Sequence, residues 1–92
     1  MIADLDGAKV LMLSEKGHYG SIQVLNSEES IKVCFLAICQ YENNSTFYLF
    51  LCDENLSVEQ DTDFKSFEEA VEDAERRSKL PVIWSYPGSV FE

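Results

Sequence analysis

Apolar residues recur at helical spacing in one segment, Phe64 to Leu80, where Phe67, Ala70, Val71 and Ala74 fall at i, i+3, i+4 and i+7. The ends of this segment carry their own signals. Ser66 followed by Glu69 has the S-x-x-E form of a capping box, in which hydroxyl and carboxylate each satisfy an unpaired backbone N–H. Glu68, Glu69 and Glu72 lie at the positive end of the helix dipole, Arg76, Arg77 and Lys79 at its negative end, and Pro81 stops the helix.

The rest of the pattern is strand-like. Lys9–Ser14 is a short apolar run, and Tyr19–Leu25 alternates, with Ile22 and Val24 on one side and Ser21 and Gln23 on the other. With Glu15-Lys16-Gly17 between them, the two runs are expected to form a hairpin. The polar turn Asn26–Ser30 leads into Ile31–Tyr41, which is expected to form a single strand. Its Ile31, Val33, Phe35, Ala37, Cys39 and Tyr41 share one face, and Cys34, Leu36 and Ile38 the other. After the asparagine-rich turn Glu42–Ser45, Thr46–Asp53 is again apolar on both faces, so these two runs are expected to be neighbouring central strands. Leu56 and Val58 suit a short, polar strand at a sheet edge, and Val82–Tyr86 is a candidate final strand ahead of the Pro87-Gly88 turn.

Strands followed by one helix, without βαβ alternation, predict an α+β fold. The expected architecture is an antiparallel meander of four to five strands covered on one face by the single helix in the C-terminal half. A single helix covers one side of such a sheet, yet both central strands are apolar on both sides. The second face then calls for strong curling of the sheet, the C-terminal segment with Trp84, Tyr86 and Phe91, a second copy of the chain, or another partner.

Ninety-two residues correspond to one domain, 1–92, and an apolar fraction of 46% is that of a folded globular chain. Seventeen acidic residues against seven basic ones give a formal charge of −10, which opposes approach to nucleic-acid phosphates or an anionic membrane and favours a basic partner. The N-terminal stretch carries acids where a secretory signal carries bases, and no apolar run reaches membrane-spanning length, so a cytoplasmic protein is expected. Cys34, Cys39 and Cys52 are odd in number and lie inside apolar runs, which predicts reduced, buried thiols rather than a disulfide framework or zinc site.

Motifs for catalysis are weak. Asp4-Leu5-Asp6-Gly7 resembles the D-x-D-G of haloacid-dehalogenase-like phosphatases, but that chemistry needs a parallel Rossmann-like sheet with further lysine and acidic partners, so a polar turn is the expected role. Asp61-Thr62-Asp63 with Glu72 lacks the glycine and the fifth-position ligand of a calcium loop, because Lys65 and Ser66 stand there. His18, the single histidine, has no nucleophile at a recognisable spacing. No cofactor, metal site or catalytic residue is therefore assigned. What stands out is charge: ten of the seventeen acids fall in residues 53–75, with Lys65 the one base among them. Pairs at i,i+4, Glu72–Arg76, Asp73–Arg77 and Glu75–Lys79, are expected to neutralise part of the helix. They leave Glu59, Asp61, Asp63, Glu68 and Glu69, expected on the strand-to-helix loop and first helical turn.

The segment from Phe47 through the helix to Trp84 resembles a pattern in small bacterial proteins of uncharacterised function, in which a hairpin ending in an acidic turn leads to an S-x-E-E-A-x-x-x-A-E helix followed by tryptophan. Ser66, Glu68, Glu69, Ala70, Ala74 and Glu75 carry the match. In size and charge the chain is similar to immunity proteins and inhibitors that neutralise basic toxins, nucleases above all. That similarity implies a non-enzymatic module docking onto a basic protein through Glu59, Asp61, Asp63, Glu68, Glu69 and Glu72, with Trp84 and Tyr86 as anchors. The alternative is a structural or assembly protein that forms a homodimer through the second sheet face.

Overall fold

A computed structural model describes residues 4–78 and 81–85. The elements run β1 (Asp4–Leu5), β2 (Ala8–Ser14), β3 (Ser21–Gln23), β4 (Ser30–Lys32), β5 (Phe35–Gln40), β6 (Phe47–Cys52), β7 (Val58–Phe64), α1 (Phe67–Arg77) and β8 (Trp84–Ser85). The main sheet is antiparallel in the order β1-β2-β5-β6-β7, with β8 also pairing β2, and α1 packs on one of its faces. This is the expected α+β meander, widened to six strands by the two-residue pieces β1 and β8, which share the outer side of β2.

Each turn follows from its residues. Asp6 and Gly7 both have positive φ, 52° and 84°, as a two-residue hairpin of the Asp-Gly type requires, so the D-x-D-G motif is a turn joining β1 to β2. Asn43, at φ 62°, lies in the β5–β6 turn, where the Asn44 N–H bonds the Tyr41 carbonyl at 3.2 Å. Asp53 organises the β6–β7 turn by accepting from the Asn55 and Ser57 N–H groups, each at 2.9 Å. Those two bonds hold its carboxyl below the usual range, the Ser57 bond being the stronger cause. The turn also forces Leu56 to φ 63°, a conformation that a leucine adopts at a cost of about 1 kcal/mol, while its side chain packs under the sheet.

The expected hairpin between Lys9–Ser14 and Tyr19–Leu25 is corrected. β2 pairs β5, and β3 pairs β4, so residues 8–40 form one long bent ribbon with its turn at Val24–Glu29. Glu15-Lys16-Gly17 is an excursion in one side of that ribbon. Ser14 fills the gap it leaves: its Oγ, buried at 2% exposure, accepts from the Leu36 N–H at 2.9 Å. Tyr19 then folds back over the excursion, its hydroxyl donating to the Glu15 carbonyl at 2.6 Å, and its ring passes so near Gly17 that a Cβ there would stand 3.0 Å from it. The same excursion divides the expected strand Ile31–Tyr41 into β4 and β5. Val33 consequently packs on the helix side, whereas Phe35, Ala37, Cys39 and Tyr41 face the other way.

The helix side of the sheet is a layer of Met12, Leu36, Ile38, Leu49 and Leu51 beneath Ala70 and Ala74. The two alanines let the helix backbone lie close to the strands. At its start the Ser66 hydroxyl accepts from the Glu69 N–H at 3.1 Å, as the cap signal predicts.

The opposite face has a buried layer of its own. Ala37, Cys39, Phe50 and Cys52 are buried within the single chain, ringed by Leu5, Ala8 and Val10 and by half-buried Leu13, Phe35, Tyr41, Tyr48, Leu56 and Val58. Two register breaks interrupt the ladders: Leu11 is the extra residue between the Val10 and Met12 pairs, and Glu59 the extra residue opposite the Leu51–Cys52 step, and such bulges bend the strand that carries them. Trp84 packs on the helix side, and Tyr86 and Phe91 lie outside the described residues.

Candidate functional site

The acidic residues that the sequence groups together are divided by the sheet. Glu59, Asp61 and Asp63 belong to strand β7, not to a loop. Asp61 pairs with Phe50 and Asp63 with Tyr48, and directly paired residues share a face, so both carboxylates stand on the side away from the helix. Glu68, Glu69 and Glu72 are exposed on α1, across the sheet. One continuous acidic surface from Glu59 to Glu72 is thereby corrected to two separate groups.

The helix group is partly neutralised from within. Asp73 accepts from Arg77 at 2.6 Å and from Arg76 at 3.3 Å, so Arg76 pairs with Asp73 rather than with Glu72. Lys79 lies outside the described residues. Trp84 does not stand free as an anchor: its half-buried indole packs beside the helix-side core, and its Nε1–H donates to Glu75 Oε2 at 3.2 Å. Tyr86 lies outside the described residues.

The strand group has different neighbours. The tight β5–β6 turn brings Tyr41 against Tyr48, ring centroids 5.3 Å apart and planes at 80°, and Tyr48 in turn meets Phe50 at 6.4 Å. Beyond Tyr41 lies the β1–β2 turn, where the Tyr41 hydroxyl reaches the Asp6 carbonyl at 3.4 Å and the ring lies 3.8 Å from the Cβ that Gly7 lacks. Desolvation, then the charges of Asp6 and Asp61, push the Tyr41 hydroxyl up from its ordinary pKa of 10.0. Across one end of the sheet, then, run Asp6, Tyr41, Tyr48 and Asp63, with Asp61 beside them. Among the described residues, the ion pairs are those of Asp73, so neither Asp61 nor Asp63 is paired with a base. Two half-buried aromatic rings bordered by unpaired carboxylates form a surface suited to lysine or arginine, through charge and through the ring faces. The sequence reading missed Tyr41, Tyr48 and Asp6. The available signal is that the two tyrosines flank one asparagine-rich turn; the register, with Tyr48 opposite Cys39, then makes them diagonal neighbours.

His18 is exposed, and among the described residues no group of three or more His, Cys, Asp or Glu is placed to hold a metal ion. Cys34, Cys39 and Cys52 are free and buried. Burial pushes the Cys39 and Cys52 thiols from 9.0 up to about 12, with the other cysteine adding to the shift at Cys39 and Asp53 and Glu59 adding to it at Cys52. Both thiols are therefore protonated and shielded in the native state. A disulfide-exchange reagent at neutral pH is expected to modify Cys39 and Cys52 only as fast as the protein unfolds, which a stopped-flow comparison with urea unfolding checks. The sign of the pH effect follows. The unfolded thiols ionise near 9.0 and the folded ones near 12, so the stability they contribute is complete below pH 9.0 and is lost as pH rises from there to about 12.

Among the described residues no helix is long and apolar enough to cross a membrane. Comparison with protein-family models, with curated proteins and with solved structures found no match.

Proposed function

We propose that this chain is a non-enzymatic binding module of the cytoplasm, an inhibitor or immunity-type protein, that docks onto a basic partner protein through the acidic, tyrosine-bearing face at β7. The observation that carries this reading is the placement of Asp61 and Asp63, unpaired with any base among the described residues, beside Tyr48 and Tyr41. Lysines or arginines of the partner would pair with the carboxylates and lie against the rings. The net charge of −10 would steer their approach. Such a surface competes with phosphates for a basic cleft, which is how an inhibitor of a nuclease would work.

The division of the acids into two groups supplies the test. Tagged wild-type protein and two variants, Asp61→Asn with Asp63→Asn, and Glu68→Gln with Glu69→Gln and Glu72→Gln, are used to capture proteins from lysate of the source organism at low and at high salt. The expected outcome is a basic protein in stoichiometric amount, retained by wild type and by the helix variant, with association slowed at least about tenfold in the strand variant and in high salt. Equal retention by wild type and strand variant rules this surface out, and recovery of the bait alone removes the reading.

A further inference from the structure

The two outer edges of the sheet are unlike. β2 is shielded at both ends of its outer side, by β1 against Ala8 and Lys9 and by β8 against Leu13 and Ser14. β7 pairs on its inner side with β6 from Phe64 to Val58, and among the described residues no strand lies on its outer side. An antiparallel edge strand leaves alternate backbone N–H and C=O groups pointing outward, a template for one more strand.

The side chains along β7 decide what that strand can be. On the face away from the helix stand Asp61 and Asp63, with Glu59 at the bulge, and on the helix face Gln60, Thr62 and Phe64. A second copy of β7 laid along the first would set carboxylates against carboxylates, and like charges directly opposite are destabilising. An extended segment with lysine or arginine at every second position reverses that sign along the whole edge. Tyr48, the cross-strand partner of Asp63, lies two strand spacings or about 10 Å from such a segment, so only the extended end of a long lysine or arginine side chain crossing over Asp63 would approach its ring. We propose that the open edge of β7 accepts an extended basic segment of the partner by strand addition, with Lys or Arg on the Asp61–Asp63 face and β-branched residues on the other. The proposal rests on the reading of this face as the docking surface for a basic protein, and adds the backbone pairing and the alternating pattern.

Synthetic peptides separate the two ideas. One peptide alternates lysine with valine, a second has the same composition with the lysines in one block and the valines in another, and a third is the alternating peptide with N-methylated amides. Binding to the full chain is followed by fluorescence anisotropy at low salt, and amide exchange of residues 58–64 is measured with and without peptide. The alternating peptide is expected to bind at least about tenfold more tightly than the block peptide, to slow exchange along β7, and to lose binding on N-methylation. In a variant carrying Asp61→Lys and Asp63→Lys, preference passes to a peptide that alternates glutamate with valine. Equal binding of alternating and block peptides, with no protection of β7, overturns strand addition and leaves the electrostatic docking surface standing. No binding of any lysine peptide at low salt overturns both.

Discussion

Replacing Phe50 by alanine is expected to lower the melting temperature by roughly 15–30 °C, the largest effect of any single truncation in this chain. Phe50 is fully buried at the centre of β6, on the face that carries no helix. It shares that buried layer with Cys39, Cys52 and its cross-strand partner Ala37, and its ring meets that of the half-buried Tyr48. Phe-to-Ala changes in cores cost about 3–5 kcal/mol, through lost transfer energy and the cavity left behind. A chain of this length has about 5–14 kcal/mol in total, so the variant sits near the threshold of folding. Circular dichroism melts check it, and their concentration dependence carries a second result. Because the face is closed within one chain, the melting temperature of the wild type is expected to be independent of protein concentration. A melting temperature that climbs with concentration shows instead a second copy on that face, the assembly alternative.

Ser14→Ala is expected to destabilise by about 1–3 kcal/mol although it removes a single oxygen atom. The Leu36 N–H sits where the β2–β5 ladder is interrupted by the Glu15–Gly17 excursion, and the Ser14 hydroxyl is its acceptor. Alanine leaves that donor buried and unpaired, so the full desolvation cost appears rather than the smaller net value of one hydrogen bond. The urea midpoint falls with an unchanged slope, and amide exchange at Leu36 accelerates before that of its neighbours in β5. A loss below about 0.5 kcal/mol would mean that solvent reaches the Leu36 N–H and that the ribbon is looser at this point than its geometry implies.

What could be read from the residues depended on whether the signal was local. The helix was legible because its stripe and its Ser66 cap are written within one segment, and the Glu42–Ser45 turn because asparagine tolerates positive φ. The first hairpin misled because Lys16-Gly17 looks like a turn. The glycine is there for a different reason, the passage of the Tyr19 ring, and that contact exists only after the chain has folded back. The second half of β7 reads as a loop because aspartate is uncommon in strands, yet Val58, Gln60, Thr62 and Phe64 alternate with Glu59, Asp61 and Asp63 at the strand period of two. By composition alone its acids run on into those of the helix. The divided site follows from strand pairing, since a difference of one position in β7 decides which side of the sheet a carboxylate occupies.

The position of β8 also bears on the order in which the molecule assembles. β2 finds β1 across the nearest turn, but its other outer partner, Trp84–Ser85, leaves the ribosome only after every other strand of the sheet. Until then a nascent chain displays two exposed strand edges, of which only that of β7 carries a row of acids to repel its own kind. The lip of β2 near Leu13, apolar and uncharged, is therefore the place where growing chains are most exposed to mispairing, until Trp84 and Ser85 pair there and close it.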